Sequence, residues 1–120
     1  MRILTGLACI TCAVMLGACG HVQRVQAGRV LRVGLTEYRL VPQDVRVKAG
    51  QLTIDVHNYG RLTHNLVISS HGWQAASTQP LLPGQDSELV MVATPGKYLM
   101  ASTILSDQTL GTYGTLTVTR

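Results

Sequence analysis

Phenylalanine is absent from the 120 residues, and tryptophan occurs once. With four Tyr the aromatic share reaches only 4%, so stacking platforms for single-stranded nucleic acid are scarce. Charge is sparse as well. Asp, Glu, Lys and Arg make up 13%, well below the usual quarter, which argues against a disordered or heavily solvated chain. The net charge is +4, but the ten Lys and Arg are scattered along the chain. That pattern gives mild attraction to anionic surfaces and no nucleic-acid footprint, so no nucleic-acid partner is expected. Nor is there an apolar run long enough to span a bilayer comfortably. No stretch sustains a helical period, and no Gly-rich phosphate cradle occurs. A chain of this length allows one domain.

Cysteine is confined to Cys9, Cys12 and Cys19. All three lie in or just after an uncharged run from Ile3 to Leu16 that follows Arg2. A short positive start and an apolar stretch form the layout of a secretory signal. The run ends in Leu16-Gly17-Ala18-Cys19, which resembles a bacterial lipobox. That resemblance implies cleavage before Cys19 and lipidation of its thiol, so membrane lipid is the first expected partner. Residues 1–18 are then a lipoprotein-type signal peptide, 19–29 a lipidated Cys with a short tether, and 30–120 the folded domain. Two or three acyl chains acting together would anchor the chain stably. The expected location is exported and lipid-anchored in the bacterial cell envelope. A chain starting at Cys19 has no second thiol and makes no internal disulfide. Cys9 and Cys12 have redox spacing but sit within the signal and carry no redox weight.

From Val30 onward, short alternating runs are separated by turn signals. Leu52, Ile54 and Val56 fall on one face of an expected strand, and Asp55 and His57 on the other. Further strands are expected over Val30–Thr36, Val45–Val47, His64–Ile68, Glu88–Val92, Tyr98–Ser102 and Gly114–Val118. Even spacing of this kind points to an all-β sandwich or barrel. Residues 70–82 are the least regular and are expected to hold a short helix or a long crossover. With no Phe, the core must come from Leu, Val, Ile and Met. Trp73 is either a plug for one end or an exposed loop residue.

Several segments then carry a resemblance. They are Val33-Gly34-Leu35-Thr36-Glu37-Tyr38, Pro42, Val45 to Gly50, Asn58-Tyr59-Gly60 and His64-Asn65-Leu66. Pro95-Gly96-Lys97-Tyr98 and Gly111 to Val118 continue them. Their order and spacing resemble the cupredoxin family. The resemblance covers about residues 30–118 and implies a Greek-key β-sandwich of about seven to eight strands.

Cupredoxins typically hold one copper with two His, one Cys and often an axial Met. His64-Asn65 fits the position of the first His. The remaining ligands commonly follow Cys-x4-His-x4-Met, and that spacing falls here on Ser102, Asp107 and Thr112. A type 1 centre depends on the thiolate, which a serine hydroxyl does not replace. His64 and Asp107, with Ser102 and Thr112 in the remaining slots, therefore form at best a degenerate site. No cofactor is expected, with weakly bound copper as the alternative. Met100 lies two residues before Ser102, so alternation turns it to the same side, as a core filler or a soft ligand. His64 is either a structural remnant whose ring bonds a backbone carbonyl or a ligand. A site joining His57, His64 and His71 would require loops to bring them together.

No catalytic arrangement has local context in the sequence, so the chain is not expected to be an enzyme. The leading expectation is a membrane-anchored binding or accessory module without an intact type 1 copper centre, with an envelope protein as partner. The alternative is copper binding, copper handling or an electron-transfer-related role at a remodelled site around His64 and Asp107.

Overall fold

The computed structural model describes residues 22–24 and 29–120. Cys9, Cys12, Cys19 and the expected signal segment lie outside the described residues. Among the described residues are ten strands and one short helix. In order they are β1 (Gln23–Arg24), β2 (Val30–Thr36), β3 (Arg39–Val41), β4 (Asp44–Lys48) and β5 (Gly50–Asn58). β6 (Val67–Ser70), β7 (Trp73–Ser77), β8 (Asp86–Ala93), β9 (Gly96–Ala101), α1 (Asp107–Leu110) and β10 (Tyr113–Thr119) follow.

The strands form two facing sheets. One runs β1-β4-β10-β9-β6-β7 and the other β3-β2-β5-β8. The chain crosses between sheets repeatedly, pairing β2 with β5 and β4 with β10 in parallel over long connections. This is the expected all-β Greek-key sandwich. Alternation builds the core as the residue pattern demands. Leu31, Val33 and Leu35 of β2 and Leu52, Ile54 and Val56 of β5 meet Val45, Val47, Ile68, Met100, Leu116 and Val118 from the other sheet. In place of Phe, the core takes Tyr98, whose hydroxyl pairs with Thr94 Oγ1 at 2.7 Å. Met100 is fully buried here as core filler.

Two expectations are corrected, and one pair of alternatives is decided. The strand expected over His64–Ile68 starts only at Val67, because His64 pairs instead with Leu81 in an isolated bridge. Residues 70–82 hold neither a helix nor a plain crossover but the hairpin partner β7. His71 and Gly72 both take positive φ (49° and 80°), as a two-residue hairpin turn requires. Trp73 opens β7 and is 81% exposed, so it plugs neither end. The short strand β3 and the turn of helix α1 have no period long enough to register in the sequence.

Candidate functional site

Four connections meet at the end of the sandwich where β2, β5 and β9 finish and α1 sits before β10. They bring His64, Ser102 and Asp107 together around one carboxylate oxygen. His64 Nδ1 lies 2.6 Å from Asp107 Oδ2, and Ser102 Oγ donates to the same oxygen at 2.6 Å. His64 and Ser102 are fully buried, and Asp107 is 5% exposed. Ser102 Oγ also accepts from the backbone N–H of Asn65 at 3.2 Å. Asn65 in turn accepts from Thr103 N–H at 2.7 Å and donates to Thr103 Oγ1 at 3.0 Å. The loop carrying His64 and the loop carrying Ser102 are thus laced together.

The other ring nitrogen of His64 meets a residue to which the sequence reading attached no role. Nε2 lies 3.2 Å from Glu37 Oε1. That oxygen accepts the N–H groups of Arg61 at 2.6 Å and Leu62 at 2.5 Å. Burial raises the Glu37 pKa. Bonds from the N–H groups of Leu62, Glu37 itself and Arg61, and from the His64 ring, outweigh it and hold the group at about 2. The carboxylate seats this closely because residue 60 is glycine. A Cβ there would lie 2.6 Å from Glu37 Oε1. Glu37 follows a strand in a short turn, and its partners are more than twenty residues away, so no local pattern marks it.

Thr112 is buried as well, but its side chain does not join the cluster. Its Oγ1 donates to the Thr36 carbonyl at 3.4 Å. Its backbone holds the loop shut, with N–H donating to Asp107 O at 2.9 Å and carbonyl accepting from Ser102 N–H at 3.0 Å. Gly111, at φ 132°, allows that turn and packs against the Tyr38 carbonyl, which any Cβ would strike. The expected carbonyl partner of the His64 ring is replaced by two carboxylates.

The three histidines stay apart. His57 stands on the outer face of the β3-β2-β5-β8 sheet, bonded through Nδ1 to Asp86 and tilted against the Tyr59 ring at 4.1 Å. His71 turns the β6–β7 hairpin. A groove of about 880 Å³ on that outer face, lined by Arg32, Asp55, His57, Tyr59, Asp86 and Glu88, is likewise separate from the His64 cluster.

No family model matches the sequence, and no curated protein does. Solved structures do match in shape. Reduced auracyanin from Roseiflexus castenholzii superposes with a TM-score of 0.69 at 19% identity, covering 76% of this chain and 97% of that one. The azurin Az-iso2 from Methylomonas sp. strain J gives 0.67 at 12% identity, covering 78% and 100%. A purple cupredoxin from Nitrosopumilus maritimus gives 0.58 at 16%, covering 74% and 99%. The chain therefore has the cupredoxin fold.

That fold raises the question of copper, and the donor atoms answer in chemical terms. The position expected for thiolate holds a hydroxyl, and Nδ1 of His64 is engaged by Asp107. Asp107 and Glu37 approach the imidazole from opposite nitrogens, so the two carboxylates do not converge on one point beside the ring. Among the described residues no group of three or more His, Cys, Asp or Glu is placed to hold a metal ion. These residues do not fit a type 1 centre.

Proposed function

We propose that the chain is a lipid-anchored, extracytoplasmic cupredoxin-like module that binds an envelope protein and works without a type 1 copper centre. One observation carries this reading. A carboxylate oxygen shared at 2.6 Å by His64 Nδ1 and Ser102 Oγ occupies the meeting point of the loops with an internal hydrogen-bond network. The network ties the loops by bonds of its own chemistry, so the end of the sandwich holds its shape without a metal. The anchor is Cys19, on the strength of its lipobox-like sequence, and β1 follows it within a few residues.

The rim around this end suits a protein partner. Leu62, Tyr38, Leu110, Tyr113 and Leu105 are exposed there, Leu105 at 97%. Apolar side chains around a rigid, polar-bonded centre are typical of association surfaces. An enzymatic role is not part of this reading. Ser102 Oγ is buried and directed at Asp107, so this hydroxyl is not presented to a substrate.

The test is copper titration of the full chain beside a His64→Ala variant, following visible absorbance, EPR and metal retained after desalting. The expected result is no intense visible band and no retained copper in either protein. Tight copper that disappears with His64→Ala would assign copper handling instead. An intense blue adduct would refute the reading outright.

A further inference from the structure

β8 ends the four-stranded sheet, and its backbone ladder runs only to β5. Among the described residues no backbone bond is made on its other side. An open edge of this length invites pairing with another strand, and proteins guard such edges with charges or proline. Here the guards are confined to the start of the strand. Leu89-Val90-Met91-Val92-Ala93 carries no charge, and Val90 and Val92 are 55% and 72% exposed. β7, the edge of the other sheet, flanks the same side without a backbone bond to β8 and is also uncharged. From Leu62 to Gln85 no Asp, Glu, Lys or Arg occurs at all. The only charges on β8, Asp86 and Glu88, sit together at its start.

We propose that the β8 edge is a dimer interface, occupied by β8 of a second copy in antiparallel array about Val90. The charge pattern selects this occupant. With Val90 opposite its own symmetry mate, Val92 faces Glu88 of the other copy, and no two acidic side chains stand opposite each other. The outward faces of both sheets then lie on the same side, as two-fold symmetry and the strand period require. Ser87 to Ala93 of both copies pair, joining two four-stranded sheets into one of eight. A two-fold contact closes on itself and consumes both open edges, so it makes a dimer and not a fibre.

The experiment is sedimentation equilibrium of the full chain in a non-ionic detergent, over a range of protein concentrations. The wild type is expected to form a dimer. Val90→Lys places two like charges directly opposite and should weaken the dimer at least about tenfold. Val92→Glu, facing Glu88 of the other copy, should weaken it too, whereas Val92→Lys should leave it intact. Val30→Lys is the control, because Val30 is exposed on the same sheet face but two strands away, aligned with Val90 through Thr53. Val90 and Val92 are exposed, and far-UV circular dichroism confirms that each variant is folded. A monomer at every concentration would overturn the proposal. So would a dimer that survives Val90→Lys, one lost with Val30→Lys, or equal responses to Glu and Lys at position 92.

Discussion

Replacing Asp107 by Ala removes the one acceptor shared by two fully buried donors. His64 Nδ1 and Ser102 Oγ each lose a 2.6 Å bond to a carboxylate, and neither can reach water without opening the loop. Hydrogen bonds to charged groups contribute about 1.5–3 kcal/mol each. Ser102 Oγ can turn to Asn65 Oδ1, 3.2 Å away, whereas His64 Nδ1 is left with no acceptor, at a cost of about 1–3 kcal/mol. The expected destabilisation is therefore about 2–4 kcal/mol, a sizeable share of the roughly 5–15 kcal/mol that holds a domain together. For a domain of this size that lowers Tm by about 8 °C or more. Urea unfolding at neutral pH, followed by far-UV circular dichroism, reads the loss. Trp73 fluorescence would be a poor probe, because the side chain is 81% exposed in the folded state. A double-mutant cycle adds a sharper reading: His64→Ala should cost less once Asp107 is gone, with a coupling of about 1 kcal/mol or more. A loss below about 1 kcal/mol for Asp107→Ala would refute the claim that this network organises the end of the sandwich.

The Glu37 carboxyl, held at about 2 against an ordinary 4.5, gives a pH dependence of defined sign. The carboxylate contributes stability that is complete above pH 4.5 and is lost as pH falls through about 2. Acid titration of stability should show that decline in the wild type and a flatter profile in Glu37→Gln. Gly60→Ala puts a methyl group 2.6 Å from the Glu37 carboxylate and should destabilise the domain by about 1–3 kcal/mol in urea unfolding. The combined substitution Ser102→Cys, Asp107→His and Thr112→Met restores a thiolate, a second imidazole and a thioether on loops of cupredoxin geometry. With Cu(II) it should develop an intense visible band that the wild type lacks; a folded but colourless variant would show that the loops no longer hold ligand geometry.

Alternation made most of the sandwich legible. Leu52, Ile54 and Val56, then Leu116 and Val118, repeat every second residue, and a strand with that period can bury only one face. The pairing of His64 with Asp107 and Ser102 was reachable in outline because the ligand spacing of a known fold placed these residues on facing loops. Other features had no local sign. Glu37 meets His64, Arg61 and Leu62 across more than twenty residues, so its role arises only when the β2–β3 turn folds onto the loop after β5. The β6–β7 hairpin was hidden because β7 shows no alternation of burial: Trp73, Gln74 and Ala75 are all exposed.

Composition and period thus determined by themselves an all-β chain with an aliphatic core, and the resemblance to a known family set polar residues at the ligand positions of that fold. Which nitrogen of His64 faces which carboxylate, that Thr112 turns away to Thr36, and that β8 is left with an open edge were decided by tertiary structure alone. The physical reason is range. Burial on one face is written into every second residue, whereas a hydrogen bond between distant loops and the exposure of a sheet edge depend on how complete sheets are stacked and where they end.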